Sequence, residues 1–242
     1  MFDVRGRAVL VTGSTQGIGL EIARAFLDGG ATVWIHGSQE EKTRRVAQQL
    51  GIRAYPVWGD LAAENIAEDL YSNIGDIDIL ILNASVQIRK SWWGITSEEF
   101  SRQMNINLRS SIALIQKFTP YMVEQQWGRV ITIGSVQQFI PHKDMAVYAA
   151  SKSALYAFVR NIAKQLAPEG VTVNNVAPGA MLTPRNEGVL EDLCYRDKVL
   201  SAIPAGFIGS AADCNGICIL LASEEGRYIT GANICVDGGM SL

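Results

Sequence analysis

The chain has 242 residues, 48% hydrophobic and 19% charged, with a formal net charge of −3; this is the balance of a globular protein able to bury a core without staples. A pI near 5.5 argues against nucleic acid or an anionic membrane as partner. Charged Asp3, Arg5 and Arg7 interrupt the opening before any apolar run, so no signal peptide and no bilayer-spanning stretch is read, and the expected location is cytoplasmic.

Short β-branched runs alternate with longer helical patterns, which predicts βαβ units around a parallel sheet. The first strand, 8–12, runs into Thr12-Gly13-Ser14-Thr15-Gln16-Gly17-Ile18-Gly19 and a helix over 17–29. Gly13 allows the tight turn, Gly17 lets backbone approach a pyrophosphate, and Gly19 permits close helix–strand packing. Three glycines in a turn are weak evidence alone; their place after the first strand is what points to a dinucleotide. A second strand, 32–36, leads through Gly37 and Ser38 to a helix over 39–50. The third, 53–57, leads to Asp60 and Leu61, where the carboxylate serves either an adenine amine or the N-cap of a helix over 62–73. Asn83-Ala84-Ser85 follows the fourth strand, 78–82, at the sheet edge where open α/β folds bind ligands.

A long helix over 97–125 carries Asn107, a fifth strand, 129–134, ends at Ser135, and a helix over 148–167 opens on Tyr148-Ala149-Ala150-Ser151-Lys152. After a sixth strand, 171–177, the segment 181–209 breaks the rhythm with Pro184, Pro204, Gly188, Gly206 and Gly209 around one helical pattern at 186–200. It is read as a substrate lid, with a packed surface extension as the alternative. A helix over 211–222 and a seventh strand, 233–236, complete a single doubly wound α/β domain of about seven strands with helices on both faces. Cys194, Cys214, Cys218 and Cys235 are read as core thiols in a reducing compartment. With only His36 and His142 as further ligands, no metal site is expected.

Tyr148 and Lys152 share one helix face. A phenol is a poor base at neutral pH, and a neighbouring ammonium stabilises its phenolate. Ser135 can hydrogen-bond the same substrate oxygen, and Asn107 can hold a water that reaches Lys152. A Tyr-x-x-x-Lys pair occurs by chance in many helices. Its conjunction with the glycine turn, Asp60, Asn83, Asn107 and Ser135 suits proton transfer at an alcohol oxygen while hydride moves at the adjacent carbon.

These motifs together resemble, over essentially the whole length, the short-chain dehydrogenase/reductase family, with its Rossmann-type fold. The resemblance implies Tyr148 as general acid/base, Lys152 bound also to the nicotinamide ribose, Ser135 orienting the carbonyl or hydroxyl, and Asn107 anchoring a relay water. It adds Pro178, Gly179, Met181 and Thr183 as cofactor contacts, Thr183 at the nicotinamide carboxamide. It implies a homotetramer, and a terminal Val236-Asp237-Gly238-Gly239 that matches the family's ending. Ser85 departs from the family's glycine, and Gln16 stands where many NADP-dependent relatives carry a basic residue.

No acidic residue closes the second strand, so nothing there repels a 2′-phosphate. His36 and Ser38, with Lys42 or Arg44, offer it contacts, and the reading leans to NADP with NAD as the alternative. The substrate pocket is expected around Gln137, Gln138, Arg89 and Asn186. These favour a sugar, polyol or keto acid, whereas Trp92, Trp93 and Phe139 pull toward something less polar. A 3-oxoacyl-thioester reductase is the second reading, and a catalytically silent dinucleotide-binding regulator the third.

Overall fold

The computed structural model describes residues 2–242. Seven strands form one parallel sheet: β1 (Ala8–Val11), β2 (Thr32–Gly37), β3 (Ala54–Trp58), β4 (Ile79–Leu82), β5 (Gly128–Ile133), β6 (Val171–Pro178) and, last in the chain, β9 (Asn233–Val236). Their order is β3-β2-β1-β4-β5-β6-β9. The chain steps outward from β1 to β3, returns to β4, and steps outward again, so strand order reverses between β1 and β4. In open α/β sheets a ligand crevice lies at the carboxyl ends of such a reversal.

Alternation along the strands splits the core into two layers. Val9, Val11, Ile79, Ile81, Ile131 and Ile133 face α1 (Gly17–Asp28), α2 (Glu40–Leu50) and α9 (Asn215–Ala222). Leu10, Leu80, Leu82 and Val130 face α3 (Ile66–Ile74), α5 (Ser110–Glu124) and α6 (Ala146–Leu166). Side chains two apart share a face, so a continuous apolar run feeds both layers at once.

Four elements differ from the sequence expectation. The third helix begins only at Ile66, because Asp60 Oδ1 accepts the Ala62 N–H at 2.9 Å and holds 60–65 as a turn. The long helix is α4 (Ser97–Met104) and α5 joined by a π turn at Asn105–Arg109. The pattern at 186–200 is two helices, α7 (Glu187–Leu190) and α8 (Leu193–Ser201), separated by Asp192, whose carboxylate caps α8. Two short strands, β7 (Met181–Leu182) and β8 (Gly209–Ser210), pair in parallel and stitch together the ends of the 181–209 excursion. A two-residue strand has no periodicity to read.

The β1 and β4 ends are tied through two side chains. Thr12 Oγ1 accepts from the N–H groups of Asn83 (3.0 Å) and Ala84 (3.1 Å), and Asn83 Nδ2 donates to the carbonyls of Thr12 (2.9 Å) and Gly13 (3.0 Å). A Cβ on Gly19 would lie 2.3 Å from Asn83 Nδ2 and 2.6 Å from the Gly13 oxygen, so a side chain there would break the seam. Gly19→Ala is expected to destabilise the protein by about 1–3 kcal/mol, measured by urea denaturation. A neutral result would show that the seam can move aside.

Candidate active site

The carboxyl ends of β1, β4, β5 and β6 open onto a cavity of ≈ 1030 Å³ that is also walled by α6 and the 181–209 segment. Gly13 (φ +64°) and Gly17 (φ +58°) hold the turn after β1 in the left-handed region that favours glycine. Cavity-lining residues in and after this turn include Thr15, Gln16 and Ile18. Ser14 does not join them: its hydroxyl donates to the Val11 carbonyl at 2.7 Å and accepts the His36 N–H at 3.0 Å, inside the fold. Thr183 overhangs the turn, 3.7 Å from where a Gly17 Cβ would sit. Its neighbours Pro178, Gly179 and Met181 line the same wall.

His36 is not a phosphate ligand. It is buried, its Nδ1 accepts the Gly13 N–H at 3.2 Å, and burial lowers its pKa to about 4. The ring is therefore neutral at pH 7 and braces the glycine turn. Arg44 also turns away, to Glu40 at 2.9 Å and across the Trp58 ring. Lys42 remains: its ammonium donates to Gln16 Oε1, and both line the cavity beside Gly37 and Ser38. A Cβ on Gly37 would lie 2.5 Å from Thr43 Oγ1 and 2.7 Å from Thr15 Cγ2. Asp60 and Leu61 border this end, with Arg102 3.9 Å from the Asp60 carboxylate. Asp60 thus caps its own turn and still faces the cavity. Asn83, Ala84 and Ser85 line the middle.

Ser135 and Tyr148 share the opposite wall. Ser135 follows β5 in extended backbone. Its Oγ accepts the Gln137 N–H at 3.2 Å while Gln138 Oε1 accepts the Ser135 N–H at 2.9 Å. Lys152 lies behind Tyr148, 1% exposed, its Nζ 5.9 Å from the phenol ring centre and donating to the Ile133 carbonyl at 2.7 Å. Burial, with the Arg185 guanidinium adding like-charge repulsion, lowers its pKa to about 7. Asn107, in the π turn, is fully engaged by its side chain. Oδ1 accepts the Val86 N–H at 2.8 Å, and Nδ2 donates to the Val86 carbonyl at 2.9 Å and Ser151 Oγ at 3.0 Å. It joins α6 to the loop after β4, with both amide hydrogens used and Oδ1 accepting once.

Three features here follow from no motif, two of them at Gln137 and Arg89, which the sequence places around the substrate pocket. Arg185 donates to Ser85 at both its carbonyl (2.6 Å) and its hydroxyl (3.1 Å), linking the 181–209 segment to the rim. Gln137 lines the cavity, while its Oε1 is buried with no hydrogen-bond partner among the described residues. Arg89 approaches His142 and Tyr195 within the same space. Trp92 and Trp93 stack on each other at 4.0 Å between ring centres and are exposed outside the cavity. Cys214 and Cys218 are buried thiols, the first pushed up to about 12 by burial, whereas Cys194 and Cys235 are exposed and so are not core residues.

The buried ammonium sets a pH dependence. In the unfolded chain Lys152 titrates near its ordinary 10.5, and in the folded chain near 7. Between those values the unfolded chain binds more protons, so this lysine's contribution grows more favourable to folding as pH rises. The stability advantage of Lys152→Met over wild type is therefore expected to shrink from pH 6 to pH 9 in thermal melts without cofactor. A difference that stays flat would show that the ammonium is not desolvated.

The family model described as enoyl-(acyl carrier protein) reductase matches residues 13–241. The 3-oxoacyl-[acyl-carrier-protein] reductase of Aquifex aeolicus is 34% identical over 98% of each chain. A 3-oxoacyl (acyl-carrier-protein) reductase of Agrobacterium tumefaciens with NADP bound superimposes with a TM-score of 0.93 at 34% identity, covering 98% of this chain and 95% of that one. A gluconate 5-dehydrogenase of Burkholderia cenocepacia, solved with NADP and tartrate, gives 0.93 at 30% identity over 99% and 97%. With the reversal-point cavity and its Ser135, Tyr148 and Lys152, these matches make the chain a member of the short-chain dehydrogenase/reductase family, an NAD(P)-dependent oxidoreductase.

Proposed function

We propose that this enzyme interconverts a secondary alcohol and a ketone on a small hydroxylated compound, a sugar, polyol or keto acid, with NADP preferred to NAD. The observation that carries this is the Tyr148 phenol on the cavity wall with a buried ammonium one helical turn behind it. The cavity fits a dinucleotide: Gly13 and Gly17 keep side chains off the turn where backbone must approach a pyrophosphate, and Gly37 lets Thr15 and Thr43 pack closely at the second strand's end. When bound, the nicotinamide donates or accepts the hydride at the carbon bearing the reacting oxygen.

Tyr148 passes a proton to that oxygen on reduction and takes it back on oxidation. Lys152 supplies positive charge beside the phenol, in a dry site where such charge acts strongly. Ser135 accepts its local bond from Gln137, which leaves its own proton for the substrate oxygen. Gln137 adds a polar side chain to the cavity lining, which favours a hydroxylated compound. A relay water at Asn107 would be anchored by a carbonyl oxygen, since both amide hydrogens are already used. Residues 181–209 act as a lid hinged at the β7–β8 pair and latched to the rim by Arg185.

The acyl-thioester reading stands second and rests on the similarity to 3-oxoacyl reductases. A silent regulator would have no use for a phenol backed by a buried ammonium. We place the enzyme in the cytoplasm as a homotetramer; the open edge strand β9 and the exposed Ser153, Ala157 and Arg160 on α6 offer its surfaces.

Tyr148→Phe is expected to lower turnover ~100-fold or more while NADP titration stays unchanged; full activity would remove the phenol from the mechanism. NADPH is expected to bind more tightly than NADH, and Lys42→Met to weaken NADPH about tenfold with NADH barely affected. Tighter NADH binding in the wild type would reverse the cofactor assignment.

A further inference from the structure

The end of the cavity beyond Tyr148 has a charge that the chain as a whole does not. The enzyme is net −3, yet Arg89, Lys143, Arg185 and Lys198 face this space against the single carboxylate of Asp144. Arg185 is held by Ser85. Arg89 makes no salt bridge among the described residues, unlike its neighbour Lys90, whose ammonium is taken by Glu99 at 3.0 Å.

Arg89 is held in place from both sides. The Ile88 N–H donates to Gln103 Oε1 at 3.1 Å, and the Lys90 N–H donates to the Asp144 carbonyl at 2.9 Å. Its guanidinium donates to Tyr195 Oη at 3.3 Å and lies 5.2 Å from that ring's centre. The same Nη2 approaches His142 Nε2 at 3.4 Å.

That last contact is between two donors. His142 Nδ1 accepts the Asp144 N–H at 3.1 Å, so a neutral imidazole carries its proton on Nε2, pointing at the guanidinium. Burial first, then Arg89, Lys143 and Lys198 against Asp144, lowers its pKa below the ordinary 6.5, which favours the neutral ring. Tyr195 Oη, having accepted from Arg89, keeps its own proton free. Three groups from three separate elements (the loop after β4, the loop before α6, and α8) therefore converge, each with a proton left to donate. A bidentate guanidinium flanked by two N–H or O–H donors is the geometry that receives an oxyanion.

We propose that Arg89, His142 and Tyr195 form a seat for an oxyanion of the substrate, a carboxylate or phosphate, so that the enzyme acts on an anionic hydroxy or keto compound and not on a neutral polyol. The inference rests on the alcohol–ketone reading above. Because Tyr195 belongs to the lid and Arg89 to the rim, the anion would also draw the lid onto the loop after β4.

The test is calorimetric titration of the NADP-loaded enzyme with gluconate, sorbitol 6-phosphate and sorbitol, three six-carbon probes that differ in terminal charge. At least one anion is expected to bind tenfold or more tightly than sorbitol, and which of the two does so distinguishes carboxylate from phosphate. Arg89→Met should abolish that margin with NADP affinity intact, and Tyr195→Phe should reduce it several-fold. Should Arg89→Met fail to fold, Tyr195→Phe decides. Equal binding of sorbitol and both anions, no binding of any of the three, or a margin that survives these substitutions would overturn the seat. Binding needs no turnover, so a seat that binds anions in an enzyme that reduces no ketone would count against the proposed reaction alone.

Discussion

The seam between β1 and β4 rests on one threonine hydroxyl and one asparagine amide, and everything in the cavity is placed relative to it. At this point the strand order reverses, so two loops diverge and leave a gap at the carboxyl edge. Without a link the gap would be floppy; Thr12 and Asn83 close its floor with four hydrogen bonds between the two loops. Gly19 must lack a side chain for that floor to form, and His36 braces the turn from behind. Asn83 is thus chiefly a structural tie, although its position after the fourth strand marks it as a ligand residue.

Burial of Lys152 is the second constraint. An ammonium out of water is costly, and here it donates to the Ile133 carbonyl. The fold holds it through α6, whose packing against β6 and against the π turn leaves it no route to solvent. Asn107 locks that arrangement by bonding Val86 and Ser151 together. The widened turn around it departs from the regular ladder, and such turns recur at functional sites. Stability given up in one place is thereby matched by a charge poised beside the phenol.

Much of this was legible in the residue order. Short continuous apolar runs announced all seven strands of the sheet to within a residue or so, because a strand covered on both faces must be apolar throughout. The glycine turn, Ser135, Tyr148 and Lys152 each sat at the end or start of such an element, and the structure brings the turn, Ser135 and Tyr148 to one cavity with Lys152 buried behind the phenol. The errors came where chemistry is decided between segments. His36 looked like a phosphate contact because it ends β2, but its ring faces inward to Gly13. Arg44 looked equally placed, but one residue of helix rotation separates it from the cavity and its charge goes to Glu40. The helix breaks at 105–109 and 191–192 do not alter the apolar period enough to show.

The sequence by itself determined the strands and the doubly wound class, through apolar periodicity, and pointed to the Tyr148–Lys152 pair through its conjunction with the glycine turn, Asn107 and Ser135. Only the tertiary structure decided which charges meet. Arg185 reaches Ser85 across 100 positions, Lys42 brings an ammonium to Gln16 where a basic residue was missing, and Arg89 is brought to His142 and Tyr195 from three separate elements. Electrostatic partners are set by distance in space and by burial, and neither quantity is carried by local order along the chain.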